Sequence, residues 1–141
     1  MASASVIQEI RAALEGNVSN ISGAPGTSGI AWDNARFDPT DGTTWLRVHF
    51  QPLSRRPTDV SADGLKRYDG TLLIDVFTEE GQGQAAGIDL ADAIIDAYDA
   101  GTVLTSGAVN VETEWAEISA SPLLDAPWWM TPVVIKWKSF N

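Results

Sequence analysis

The sequence predicts an α+β protein: a mainly antiparallel, mixed sheet of about five to six strands with two helices packed on it, in the order α-β-β-β-α-β-β-β. Three features carry this expectation. Strand-like segments come in consecutive runs, so sequence neighbours pair with each other and do not alternate with crossover helices. Two segments repeat apolar residues at helical spacing. One segment, residues 64–78, is apolar on both faces, as a central strand must be. With 141 residues, 44% of them hydrophobic and 20% charged, residues 1–141 are expected to form a single domain, long enough to bury roughly two thirds of the unfolded surface.

The first helix is placed at residues 4–16, with Ser3 or Ser5 as its cap, Ile7, Ile10 and Leu14 at helical spacing, and Gly16 as its stop. Residues 17–28 are rich in Ser, Gly, Asn and Pro and read as a loop, followed by a short extended segment, Ile30-Ala31-Trp32, and the turn-rich residues 37–42. Residues 44–51 alternate: Leu46, Val48 and Phe50 point one way, Arg47, His49 and Gln51 the other, and Pro52 is expected to end the strand. A long polar loop is expected at about 53–64. In the strand that follows, Leu72, Ile74 and Val76 share one face and Leu73 and Phe77 the other. The second helix is placed at about 84–100, with a stripe of Ile88, Ala91, Ile95 and Tyr98 widened by Leu90 and Ile94, and Gly101 stops it. Val103-Leu104 and residues 109–115 read as a hairpin with one acidic side, with Val109, Val111, Thr113 and Trp115 on its other side. After the Asp125-Ala126-Pro127 turn, residues 128–139 form a last strand with Trp129, Thr131, Val133, Ile135 and Trp137 on one face and Met130, Val134, Lys136 and Lys138 on the other.

Nineteen acidic residues against nine basic ones give a formal charge of −10, so neither DNA nor an anionic membrane is expected to be held by the overall field. No apolar run is long enough for a membrane helix, and the N-terminus lacks the pattern of a secretory signal. The absence of cysteine removes disulfides and thiolate chemistry and fits maturation in a reducing cytoplasm. The charge is also segregated. Arg47, Arg55, Arg56, Lys66 and Arg67 place five of the nine basic residues within 21 positions, whereas the second helix carries Asp89, Asp92, Asp96 and Asp99 with no basic residue. Either these are two solvated faces, or they are oppositely charged patches that let copies associate head to tail.

The turn Gly81-Gln82-Gly83, with Gly87 beyond it, resembles a phosphate-binding loop only superficially. Gly87 lies four positions after Gly83 where the dinucleotide fingerprint needs three, no lysine lies between Lys66 and Lys136, and Glu79 and Glu80 stand where a polyanion would approach. No cofactor is expected. No metal site is expected either: His49 is the single histidine, and the aspartates of the second helix lack the spacing of a calcium loop. No catalytic residues are assigned. His49 on an alternating strand reads as a surface or interface group, and the pairs Glu79–Glu80 and Glu112/Glu114 are expected by chance in a chain this acidic. Of the six tryptophans, Trp129 is assigned to the core and Trp128 to a contact surface.

The opening helix ending in AALEG, the run IAWDNARFDPTDGTTWLRV, the dipeptide Arg55-Arg56, the run RYDGTLLIDVFTEEGQGQAAGIDLADAI and the closing strand VVIKWKSF resemble the small tail-terminator (tail-completion) proteins of long-tailed bacteriophages. The resemblance implies a structural, non-enzymatic virion protein at the head-proximal end of the tail, assembled in the host cytoplasm. It implies a homohexameric ring that caps the tail tube, stops its polymerisation and offers a surface for joining to the head or neck. The implied partners are further copies of the chain, the major tail tube protein and a head-completion or neck protein, with DNA passing through the lumen unbound and no membrane involved. In that setting the candidate subunit or tube contacts are Arg47, His49, Arg55, Arg56, Asp59, Lys66, Arg67 and Trp128, with the loop at 53–64 ordering on assembly. A head–tail connector, a small non-enzymatic binding module, and a hydrolase built on His49 with a carboxylate are the alternatives.

Overall fold

A computed structural model of the protein describes residues 5–40, 43–58 and 65–141. Helix α1 spans Val6–Gly16, and its first turn is closed by Ser5, whose hydroxyl accepts from the Gln8 amide at 3.1 Å. It buries Ile10, Ala13 and Leu14. A single tight turn over Asn17–Asn20 and a second over Thr27–Gly29 lead to β1, Ile30–Ala31. The remaining elements are β2 (Trp45–Pro57), β3 (Lys66–Glu79), α2 (Ala85–Ala97), β4 (Val103–Ser106), β5 (Val109–Ile118), β6 (Leu123–Asp125) and β7 (Trp128–Phe140).

The strands form one sheet in the order β1-β2-β3-β7-β5-β4. The pairing of β1 with β2 is parallel and the others are antiparallel, so the sheet is mixed and mainly antiparallel as expected. β3 is central, paired along its whole length with β2 on one side and β7 on the other. The seventh strand is β6, whose three residues pair with Trp128, Met130 and Trp129 on the edge of β7 that β5 occupies further along. Three residues are too few to show a period, which is why the sequence did not reveal it. Both helices cover one face. α2 lies on β7 and β3, while α1 touches β4 and β5 and also β2, strands from the two ends of the sheet order. A helix can touch both only because the sheet curls into a half-barrel.

On that inner face Leu46, Val48, Leu72, Ile74, Val76, Val111, Val133, Ile135 and Trp137 interlock with Ile10, Leu14, Leu90, Ala91, Ile94 and Tyr98. The helices are tied together by polar contacts as well. The Tyr98 hydroxyl donates to Leu14 O at 2.6 Å, and the Asn17 side-chain amide donates to Ala97 O at 2.8 Å. The exit of α2 is stitched to β5, where the Thr113 hydroxyl donates to Asp99 O and the Gly101 amide donates to Thr113 O at 2.8 Å.

Three expectations are corrected. Pro52 does not end its strand: β2 continues to Pro57, because a bulge between Pro52 and Ser54 absorbs the missing donor and re-enters register with Ser54 opposite Asp69. The expected loop at 53–64 is therefore strand through residue 57, and residues 59–64 lie outside the described residues. Trp115 leaves the Val109–Thr113 face, because a second bulge between Thr113 and Trp115 turns it to the other side, where it is 44% exposed. α2 is shorter than placed, and its buried line is Gly87, Leu90, Ala91, Ile94 and then Tyr98, with Ile88 exposed.

Candidate functional site

The glycine-rich turn between β3 and α2 is a change of direction. Gly81 and Gly83 adopt φ of +84° and +78°, which side chains with a Cβ rarely take. Gly87 has a different duty: a Cβ there would lie 2.7 Å from Thr131 Oγ1, so the absent side chain lets α2 sit directly on β7. The groove beside the turn, about 300 Å³, is lined by Gly81, Gly83, Gln84 and Trp129, with no cationic residue among them.

The face of the sheet turned away from the helices carries most of the residues expected to make contacts. At its one end Trp45 stacks on Phe77 at 3.9 Å between centroids and meets Trp128 edge-on at 5.9 Å. Burial is thus the reverse of the expectation for the tryptophan pair: Trp128 is only 7% exposed within this small cluster, and Trp129 is partly exposed on the helix side. Next to it Arg47 is exposed, reaches Asp75 at 2.9 Å and lies 5.0 Å above the Phe77 ring. His49, also exposed, pairs through Nδ1 with Asp33 Oδ1 at 2.6 Å, and the other Asp33 oxygen accepts from the Phe50 amide at 2.9 Å.

Farther along, the ends of β2, β3, β5 and β7 hold a charged network. Asp69 is buried and accepts from the Ser54 hydroxyl at 2.9 Å, with Lys136 at 3.5 Å, Arg67 at 3.4 Å and Arg56 at 3.5 Å around it. Arg67 also reaches Glu114 at 3.2 Å, with Lys138 3.8 Å from the same oxygen. Burial by itself would push the Asp69 carboxyl up, but the Ser54 hydroxyl, Lys136 and Arg56 outweigh it and hold the group below its ordinary value. Lys66 closes β3 against the chain end through paired backbone bonds with Asn141. Arg55 stands exposed opposite Tyr68 on β2, and Asp59 lies outside the described residues.

Arg47, His49, Arg56, Arg67 and Trp128 are therefore brought onto one sheet face, while the register puts Arg55 on the opposite side of β2. Sequence reasoning missed Asp33, Asp69, Asp75 and Glu114, which pair with Arg47, His49, Arg56 and Arg67, and Lys136 and Lys138, which stand beside Asp69 and Glu114. The alternating Lys136 and Lys138 against the alternating Glu112 and Glu114 were the available signal, once the two strands are set side by side.

The helix side is electrically different. Asp89, Asp92 and Asp96, with Asn20, Ser22 and Ala93, edge an open groove of about 390 Å³ between the Asn17–Asn20 turn and α2. None of Asp89, Asp92, Asp96 and Asp99 enters an ion pair among the described residues. Beside α1, Glu15 lines an apolar hollow with Val18, Ile30 and Trp32, and burial pushes its carboxyl up despite the Arg11 guanidinium 3.0 Å away.

Among the described residues, no group of three or more His, Asp or Glu side chains is placed to hold a metal ion. His49 and Asp33 form a dyad, but the side-chain bonds of the described residues bring no serine or threonine hydroxyl to His49. What the molecule presents is a closed core under two helices and a second sheet face of ion pairs and aromatic stacks. The chain belongs to the phage tail terminator protein family, whose profile matches residues 9–137.

The fold recurs in solved structures. One solved chain aligns with a TM-score of 0.69 and 22% identity over 92% of both chains. A chain from the virion of a native gene transfer agent particle aligns with a TM-score of 0.61 and 17% identity, over 99% of this chain and 100% of that one. At these identities the likeness is one of fold. No curated protein matches the sequence.

Proposed function

We propose that the chain is a ring-forming tail terminator: copies of it, six by the resemblance, cap the head-proximal end of the phage tail tube, stop its polymerisation and present a surface to the head or neck. The observation that carries this is the family match over residues 9–137. The fold shared with a chain of the gene transfer agent virion supports a place in an assembled particle. The partners are other copies of the chain, the major tail tube protein and a head-completion or neck protein. With −10 of formal charge the lumen lets DNA pass without gripping it. The chain works as one structural domain without catalysis, and Arg47, His49, Arg55, Arg56, Lys66 and Arg67 supply contacts to neighbouring subunits or to the tube.

The test is electron microscopy of tails assembled with and without this chain. Tubes made without it should run to uncontrolled lengths, and adding purified protein during assembly should restore a single length. Tubes of normal length that fail to join heads would favour the connector reading instead.

A further inference from the structure

We propose that the end of the β2–β3 pair of one copy docks on the acidic groove between α2 and the Asn17–Asn20 turn of the next copy. This rests on the ring reading above and names its contact. The two surfaces differ, so the contact is heterologous, as a ring requires.

The first surface is an arm. At the bulge of β2 and just before β3, Leu53 and Leu65 are 61% and 57% exposed and flank a pair of cationic residues, so they offer apolar area beside the charge. Between them in sequence stand Arg55 and Arg56, both exposed; Arg56 is tethered loosely to Asp69, and Arg55 enters no ion pair among the described residues. The second surface is the groove with Asp89, Asp92 and Asp96 along its edge and Ala93 in its wall. None of its aspartates enters an ion pair among the described residues, and they line one helix with no basic residue on it.

The arm cannot satisfy the groove within the same molecule. α2 is seated over Thr78 and Thr131 at Gly87. Arg55 pairs with Tyr68, ten residues back along β3 (78 − 68), or about 33 Å at strand spacing. From Gly87 to Asp96 the helix rises only about 14 Å, so even a helix running straight toward the arm stops about 20 Å short. A neighbouring copy has no such limit. Guanidinium groups suit the site, since each offers several donors to carboxylates, and the flanking leucines lose exposed area on docking.

The experiment uses two variants of the full chain, chosen to leave the Asp69 network intact. The arm variant is Leu53→Ser with Arg55→Glu, and the groove variant is Asp92→Lys with Asp96→Lys. Sedimentation velocity at about 50 mM salt, where such pairs are least screened, reads assembly of each chain alone and of each with preformed tail tubes. Each variant alone should assemble about tenfold more weakly or worse than the parent chain, because like charges then face each other. An equal mixture should recover rings of parental mass, since the reversed arm of one matches the reversed groove of the other and the unaltered surfaces match in turn. Thermal melts near the parental value show that the chains are folded. Variants that assemble as well as the parent, or a mixture that does not recover, overturn the contact while leaving the ring reading in place. A parent chain that forms no ring in solution or on tubes overturns both.

Discussion

The Tyr98 hydroxyl donates to Leu14 O in a site with no exposed surface, joining the last turns of α1 and α2 where they cross the core. Tyr98→Phe keeps the ring but strips that carbonyl of its donor, which should cost about 1–2 kcal/mol and lower the melting temperature by about 3–6 °C. Melting within a degree of the parent would mean the two helices are held by apolar contact alone. Asp69 acts at the other side of the sheet through its charge. Its folded pKa is depressed, so it contributes stability above its unfolded value, near 3.8, and that contribution is lost as pH falls from there through the folded value. Asp69→Asn should therefore cost about 1–3 kcal/mol at neutral pH, leaving Lys136, Arg67 and Arg56 to face one another, and the variant should lose less stability than the parent between pH 4 and lower pH. Denaturant midpoints measured from neutral to acid pH check both parts; a loss that stays constant into strong acid would show that packing, not charge, explains the effect.

At the scale of elements, two glycines separate what a sequence shows from what it hides. Gly70 on β3 pairs with Pro52 beside the bulge in β2, and a Cβ there would strike the Gln51 carbonyl oxygen and come within 2.6 Å of the Trp137 ring. Gly70→Ala should cost about 3 kcal/mol, because both obstacles are fixed, one by the ladder and one by the core. At Gly87 the obstacle is the hydroxyl of the buried, β-branched Thr131, which can give only by a rotamer change or a small shift of α2. Alanine's better helix propensity offsets part of that, so Gly87→Ala should cost about 1–2 kcal/mol. Chemical denaturation of the two variants tests the order; equal losses would mean that α2 is clamped on β7 as tightly as β2 on β3. The same features explain how far the fold was legible. β3 and β7 were readable because their apolar alternation runs unbroken between clear turns. The far half of β2 was hidden by Pro52 and the flip of Trp115 by its bulge, since one inserted residue resets a period of two without altering composition. The buried line of α2 was drawn a little off because its closest contact is a glycine, which carries no hydropathy signal.

For the whole molecule, charge that was visible along the chain acquires its meaning only through strand pairing. Arg47 and Arg67 read as parts of a basic patch, yet register sets them beside Asp75, Asp69 and Glu114, so that face is largely self-paired. The imbalance collects on the helix side, where Glu9, Asp89, Asp92, Asp96 and Asp99 find no cationic side chain among the described residues and Arg11 serves Glu15 alone. This division gives salt two opposite effects. Within one copy, added salt screens the repulsion among the helix-side carboxylates, while the exposed ion pairs of the open face lose little because such pairs contribute at most about 1 kcal/mol each. Between copies, the same screening weakens the arm against the groove. Raising sodium chloride from about 10 mM to about 500 mM, which shortens the Debye length from about 30 Å to about 4 Å, should therefore raise the melting temperature of the dilute chain by a few degrees and shift assembled protein toward monomer. Calorimetry on dilute protein and sedimentation on concentrated protein across one salt series read the two effects separately. If salt lowers both, the open-face pairs outweigh the helix-side repulsion; if salt strengthens assembly, copies meet through apolar surface rather than through Arg55 and the aspartates of α2.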